Sequence, residues 1–170
     1  MLWGIWVELW GDVGYGGARM QQSQLTGRHE CSLDDRSRLA IPAKMRWAFA
    51  QGAVMCAWLD PCVLVVPRDQ MEQKIAQVFG SVENVLDDNQ RKLRRYLYSS
   101  MAEQETLDKQ GRILIPSLLR QRGGFEGKVS VIGSVDCIEL WNPQRLDALI
   151  DEMDEEGVSN IGKRIVEREH

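Results

Sequence analysis

The sequence predicts an α+β fold made of two related halves, each a set of short antiparallel strands with helices on its flanks. Three observations carry this expectation. First, residues 33–46 (LDDRSRLAIPAKMR) return as residues 107–120 (LDKQGRILIPSLLR) after a shift of 74 residues. A segment repeated at that distance marks a duplicated supersecondary unit. Second, the apolar runs of each half are only five or six residues long and are bounded by Asp, Gly and Pro, as strands are. Third, apolar residues recur at helical spacing between and after those runs.

Six of the fourteen aligned positions in the repeat are identical: Leu33/Leu107, Asp34/Asp108, Arg38/Arg112, Ile41/Ile115, Pro42/Pro116 and Arg46/Arg120. Leu39/Ile113, Met45/Leu119 and Ala43/Ser117 are conservative pairs. Cys31 to Leu33 reads as a strand entering the loop Asp34-Asp35-Arg36-Ser37, and Arg38 to Ile41 as the strand leaving it. The loop of the second copy is Asp108-Lys109-Gln110-Gly111, where Asp opens a turn and Gly111 supplies the positive φ of a tight hairpin. Pro42 and Pro116 then bar the preceding Ile from the α region and suit a first helical position. Helices are therefore expected over AKMRWAFAQ, stopped by Gly52, and over SLLRQR, stopped by Gly123-Gly124.

A hairpin follows each helix. Ala53 to Trp58 and Cys62 to Val66 are split by Asp60-Pro61; Lys128 to Ile132 and Cys137 to Trp141 are split by Gly133-Ser134 and Asp136. A further helix closes each half: Arg68 to Phe79, with Met71, Ile75, Val78 and Phe79 on one face, and a helix capped by Asn142-Pro143 that aligns Leu146, Leu149, Ile150 and Met153. Asp87-Asp88 caps a linking helix running through Leu93, Leu97 and Ser100. Its basic run Arg91, Lys92, Arg94, Arg95 reads as a solvated face, with a phosphate-tracking face or intersubunit ion pairs as the other readings.

The expected organisation is an N-terminal extension (1–24), a first unit with its helix (25–80), a helical linker (81–102), a second unit with its helix (103–153) and a charged tail (154–170). A unit of about 45 residues buries too little surface to stand alone comfortably, so the halves should pack on each other or interlock with a neighbour. In the extension, the apolar stretch is too short for a membrane span of about 20 residues and contains Glu8, with no basic flank to make a secretory signal. Trp3, Trp6 and Trp10 share a helical face that could dock on a partner or membrane surface; the competing reading is an appendage upstream of a natural start at Met20.

Residues 151–170 hold seven acids against three bases and account for the whole formal net charge of −4. The body is thus neutral, and the acidic balance does not exclude a nucleic-acid partner. The four cysteines (31, 56, 62 and 137) lack metal-ligand spacing and read as small buried side chains, and the two histidines, His29 and His170, are far apart. No catalytic triad, carboxylate pair or ligand cluster is present in the sequence, so no catalytic residue, metal or cofactor is expected.

The functional suspects are Arg38 and Arg112, planar five-donor forks able to grip a phosphate or a guanine edge. Asp34 and Asp108 stand four residues earlier, where they can pair with the arginines or close the turn. Arg36, Lys44 and Arg46 surround the first loop with positive charge; Lys109 and Arg120 do so for the second. The Asp–Arg pair reads either as a structural clamp, with Arg46 and Arg120 as solvated helix residues, or as a nucleic-acid contact. The two uses are compatible.

The two copies, Leu33-Asp34-Asp35-Arg36-Ser37-Arg38-Leu39-Ala40-Ile41-Pro42 and Leu107-Asp108-Lys109-Gln110-Gly111-Arg112-Ile113-Leu114-Ile115-Pro116, together with Cys62 to Pro67 and Ile138-Glu139-Leu140-Trp141, resemble the MraZ family over roughly residues 25–150. The resemblance implies tandem SpoVT/AbrB-like units, interlocked as swapped hairpins, with flanking and linking helices. It implies a bacterial, cytoplasmic and nucleoid-associated regulator, without enzymatic activity or membrane attachment. Such a regulator would bind double-stranded DNA at promoter direct repeats upstream of the division and cell-wall gene cluster and repress it, as a homo-oligomeric ring. The family's DNA contacts map onto Arg36 and Arg38, with Lys44 and Arg46 beside them, and by internal symmetry onto Lys109 and Arg112. Asp34, Asp108 and Gly111 would shape the loops. Ser37 replaces the loop glycine at a cost of about 1 kcal/mol, so the first loop is expected to be distorted. The alternative function is a scaffold or antidote protein of the same fold that acts through protein partners by its charged tail.

Overall fold

The strands of the two halves interleave in one sheet. In the computed structural model residues 24–79 and 87–168 are described, and the expectation for Trp3, Trp6 and Trp10 lies outside them. The strands are β1 (Leu25–Ser32), β2 (Arg38–Ala40), β3 (Ala53–Ala57), β4 (Val63–Pro67), β5 (Ala102–Gln104), β6 (Arg112–Leu114), β7 (Lys128–Val135) and β8 (Cys137–Trp141). Six of them form an antiparallel sheet in the order β1-β7-β8-β4-β3-β5, while β2 and β6 form a separate two-stranded ribbon. Each half therefore lends a strand to the hairpin of the other: β1 lies beside β7, and β5 beside β3.

The registers obey a pseudo-twofold relation. In the ribbon Leu39 faces Ile113, the two positions that the repeat superposes. At the sheet centre Leu64 faces Glu139 and Val65 faces Ile138, a pair of pairs that the same shift exchanges. Leu39, Ile41, Met45, Ile113, Ile115 and Leu119, all from the repeat, enter one core with the inward residues Met55, Val63, Val65, Val129, Val131, Ile138 and Leu140. The core is thus assembled from both halves at once, which is how two undersized units bury enough apolar surface.

The other face of β3 and β4 is covered by α1 (Met71–Phe79) through Met71 and Ile75, which pack with Val54, Cys56, Leu64 and Val66. A 3-10 turn, Arg68–Gln70, leads into this helix. The linking helix α2 (Asp88–Ser100) starts as expected, with the Asp87 carboxylate accepting the Gln90 N–H at 3.0 Å. At its end Ser100 is buried: its hydroxyl donates to Leu97 O at 2.8 Å and accepts the Ala57 N–H at 3.0 Å, which ends β3 without an orphan donor.

Several boundaries differ from expectation for physical reasons. The strand before the first loop runs from Leu25, not Cys31; its polar residues show no alternation, and pairing with β7 is what defines it. Conversely β7 continues through Gly133-Ser134, where a turn was expected, and the turn falls at Val135 and Asp136. Gly133 is needed there because a Cβ would stand 2.3 Å from the Thr26 backbone nitrogen. The helix after Pro116 is α3 (Ser117–Gly123), closed by Gly124 in the left-handed region at φ 66°. Its counterpart, Ala43–Phe49, is a 3-10 helix. Ala50 occupies the position equivalent to Gly124 and stays right-handed, so the chain cannot close with the same glycine cap and turns later, at Gly52. The helix capped by Asn142 is α4 (Pro143–Glu156), in which Leu146 is buried but Ile150 and Met153 are exposed. The expected charged tail contains a further helix, α5 (Val158–Arg168).

Interlocking has a measurable consequence. Leu39→Ala, at the centre of the pseudo-twofold ribbon, is expected to cost about 2–5 kcal/mol. Both halves should still melt in a single transition, followed by tryptophan fluorescence in denaturant, because neither half has its own core to retain.

Candidate nucleic-acid interface

The two repeated loops fold by the same bonds. Asp34 Oδ1 accepts the backbone N–H groups of Arg36 and Arg38, each at 2.9 Å. Asp108 Oδ1 accepts those of Gln110 and Arg112, again at 2.9 Å. Ser37 N–H donates to Asp34 O, and Gly111 N–H to Asp108 O, both at 2.8 Å. Ser37 takes φ 61° and Gly111 φ 74°. The expected distortion of the first loop is therefore absent: Ser37 accepts the left-handed conformation because the Asp34 turn and a distant partner both hold it.

That partner is the other copy. Ile115 N–H donates to Ser37 O at 3.0 Å, and Ile41 N–H donates to Gly111 O at 2.9 Å. Each loop tip is thus docked on the strand that leaves the opposite loop. Arg46 completes one clasp: its Nε donates to Ile41 O at 2.8 Å, and its guanidinium lies over Gly111, where a Cβ would meet Arg46 Nε at 2.3 Å. Arg120 completes the other, reaching Ile115 O with Nη1 at 2.7 Å. These two arginines are part-buried fasteners of the loops, not the solvated helix residues of one sequence reading.

The side chains of the two Asp–Arg pairs meet across the ribbon. Arg38 donates to Asp34 Oδ2 through Nε at 2.8 Å and Nη2 at 2.7 Å, and its Nη1 lies 3.5 Å from Asp108 Oδ2. Arg112 Nε donates to Asp108 Oδ2 at 2.7 Å, and its Nη1 to Asp34 Oδ2 at 3.2 Å. The result is a tetrad of two carboxylates and two guanidiniums, all half-buried. The Arg38 backbone N–H, then its side chain, hold the Asp34 carboxyl down at about 2 against the effect of burial. For Asp108 burial pushes upward, but the Arg112 side chain and the N–H groups of Arg112 and Gln110 outweigh it and lower its pKa. Each guanidinium has five N–H donors, so both keep donors beyond these contacts.

Around the tetrad stand the exposed groups. Arg36 and Lys109 occupy the tips, exposed and without an ion pair among the described residues. Lys44 is exposed on the 3-10 helix, with its ammonium beside Gly27 of β1. Alternation along the ribbon sends Leu39 and Ile113 inward, and turns Arg38, Ala40, Arg112 and Leu114 outward. Leu114 is 52% exposed directly across the ribbon from Arg38. Sequence reasoning overlooked it, although its place one residue after the buried Ile113 implies an outward direction.

The other sequence features contribute less to a site. Arg91 and Lys92 on α2 pair with Asp88, Arg94 stacks over Phe79 at 5.1 Å, and Arg122 of α3 stacks over Tyr96 at 4.4 Å. Burial raises the Cys56 thiol to about 11 and also raises the Cys62 and Cys137 thiols, so these three are inert packing groups. Among the described residues no group of three His, Cys, Asp or Glu side chains could hold a metal ion, and no helix is long and apolar enough to cross a membrane.

Comparison with known proteins places these features in a family. The family model described as "MraZ protein, putative antitoxin-like" matches residues 99–169. A transcriptional regulator MraZ of Saccharopolyspora erythraea is 38% identical over 133 residues, spanning 76% of this chain and 89% of the relative. One of a Roseiflexus species is 37% identical over 132 residues, spanning 75% and 87%. One of Thermomicrobium roseum is 35% identical over 139 residues, spanning 82% and 95%.

Two outcomes are expected from the loop geometry. Gly111→Ala should cost at least about 1 kcal/mol, because a left-handed residue gains a Cβ and Arg46 is driven off its clasp; chemical denaturation measures the loss. Asp34 has a folded pKa below its unfolded value of about 3.9, so its contribution to stability is present above about pH 4 and lost as pH falls through about 2. Asp34→Asn should accordingly melt below wild type at pH 7, with the gap in melting temperature closing across that acid window.

Proposed function

Since the chain belongs to the MraZ family of transcriptional regulators, we propose that it binds double-stranded promoter DNA at tandem direct repeats and represses the bacterial division and cell-wall gene cluster. It acts in the cytoplasm, on the nucleoid, as a ring-shaped homo-oligomer and without catalysing a reaction. The observation that carries this reading is the β2–β6 ribbon: two loop tips, each with an exposed cation, flank a tetrad in which two arginines are held in fixed directions.

The geometry supports a division of labour. Arg36 and Lys109, at the tips and without an ion pair among the described residues, meet phosphates or base edges. Arg38 and Arg112 present preorganised forks, whose planar donors suit a phosphate or the O6 and N7 of guanine. Asp34 and Asp108 aim those forks and hold the loops, together with Gly111. Lys44 adds positive charge nearby, and Arg46 serves the site by fastening the second tip. One chain offers only a handful of cations and binds feebly, whereas several copies reading spaced repeats gain through effective concentration. Self-association is supported by apolar side chains left exposed on α4 and α5, namely Ile150, Met153, Val158 and Ile165. The same exposed side chains are what favour the second reading, a scaffold or antidote acting through a protein partner.

A gel shift with a duplex from upstream of the gene, run over a salt series, separates the two. Arg36→Ala should weaken binding and flatten the slope of log K against log salt by about 0.9, the loss of one phosphate contact. Arg38→Ala and Arg112→Ala should abolish the shift while circular dichroism stays native. Undiminished binding by a folded Arg38→Ala protein removes the loop from the interface, and a wild type that shifts no duplex points to the protein-partner reading.

A further inference from the structure

A cavity of about 260 Å³ opens between α3 and the segment that follows it, lined by Ser117, Arg120, Gln121, Gly124, Phe125 and Glu126. We infer that it is a binding site for a free α-amino acid with an apolar side chain, and that an occupant steadies the first repeated loop. The effect on DNA rests on the DNA-binding reading above; the site itself does not.

The walls come from two directions. Ser117, Arg120 and Gln121 stand at i, i+3 and i+4, so α3 turns one face to the cavity. The other wall is fixed by its own bonds. Gly124 N–H donates to the carbonyls of Arg120 and Gln121, Phe125 N–H donates to Arg120 O at 3.0 Å, and Gly124 O accepts Asn142 Nδ2 at 2.6 Å. The Phe125 ring lies against Gly123, where a Cβ would stand 2.4 Å from Phe125 Cζ, and it packs on the main core. Walls held in this way need little ordering to accept a ligand.

The lining is bipolar. Arg120 gives Nη1 to Ile115 O at 2.7 Å and keeps further N–H donors. The Ser117 hydroxyl, the Gln121 amide and the Glu126 carboxylate make no hydrogen bond or ion pair among the described residues. Three donor groups on one wall suit a carboxylate, which a guanidinium can grip through both oxygens. Glu126 on the other wall suits an ammonium, and the ring of Phe125 beside it offers an apolar surface. A carboxylate, an ammonium and an apolar side chain together make an α-amino acid. The volume falls just below the roughly 300 Å³ at which pockets for drug-sized ligands begin, as so small a molecule requires.

The repeat shows that fastening the loop does not need these groups. The equivalent positions of the first copy are Ala43, Arg46, Trp47, Ala50, Gln51 and Gly52, so only the arginine recurs. Arg46 reaches the Ile41 carbonyl without the others. The polar groups and the ring around Arg120 therefore serve something besides the clasp.

Both walls lead to the first loop. Arg120 holds Ile115 O, and Ile115 N–H donates to Ser37 O at 3.0 Å. From the other wall, Gly127 O accepts the N–H of Leu33, the residue before Asp34, at 2.7 Å. A carboxylate on the spare donors of Arg120 secures the guanidinium from a second side, which favours the clasped state.

Equilibrium dialysis of the full-length protein without DNA, with L-valine, L-leucine and L-phenylalanine as probes, tests the site. At least one is expected to bind. Its N-acetyl form, which has no ammonium, should bind about tenfold more weakly, the value of one charge-assisted hydrogen bond. Glu126→Gln, at an exposed position, should weaken the free amino acid by the same factor and leave the acetylated form unchanged. Retention of none of the three probes overturns the site, as does an acetylated form that wild type binds as tightly as the free one. Amide exchange at Ile115, followed by NMR, should slow when the probe is bound, and an unchanged rate overturns the link to the loop. In a gel shift the bound amino acid should tighten duplex binding about fivefold, the lower end for coupled sites. A probe-bound protein that shifts no duplex counts against the DNA-binding reading alone.

Discussion

Two backbone hydrogen bonds, from Ile41 N–H to Gly111 O and from Ile115 N–H to Ser37 O, tie each loop tip to the strand of the opposite copy. The rest of the molecule depends on that exchange. With the tips docked, β2 and β6 pair with Leu39 opposite Ile113, and both side chains are driven into the core. That placement leaves Ile41 and Ile115 to end the strands inside the same core and the prolines to launch the two helices over it. The exchange of β1 and β5 at the two edges of the sheet extends the same logic. A half of this chain has neither a complete sheet nor a complete core, so folding and assembly of the halves are one event.

The Asp–Arg tetrad holds the two loops together, and in the proposed reading the same contacts aim its arginines at DNA. Each aspartate first satisfies its own loop, accepting two backbone N–H groups, and uses its second oxygen to hold arginines from both copies. Lowered carboxyl pKa values follow from that donor-rich surrounding, so the carboxylates stay charged at any physiological pH. A guanidinium held this way has already surrendered its side-chain freedom, and a ligand that meets it forfeits less entropy on binding. The neutral charge of the tetrad leaves the net positive character of the face to Arg36, Lys44 and Lys109.

Much of this was legible before any coordinates. The duplication, the Pro-initiated helices, the hairpins and the Asp87 and Asn142 caps all follow from local rules, and the structure contains them. What was not legible has a common cause. β1 is polar along most of its length and exists because β7 pairs with it; Gly133 reads as a turn residue but is a point of close backbone approach to Leu25 and Thr26. Arg46 and Arg120 looked like solvated helix residues because nothing in a linear sequence shows the carbonyl and the loop beneath them. Ser37 looked like a defect, but its N–H bond to Asp34 O and the Ile115 N–H bond to its carbonyl hold it in the left-handed conformation.

The sequence by itself determined the number of units, the residues of each loop and the chemical inventory of the site, because turn formation, capping and apolar periodicity act over a few residues. Only the tertiary structure decided which copy completes which. The cross-copy bonds, the shared tetrad and the juxtaposition of Leu114 with Arg38 join positions seventy or more residues apart, and such pairings are chosen by burial of one common core.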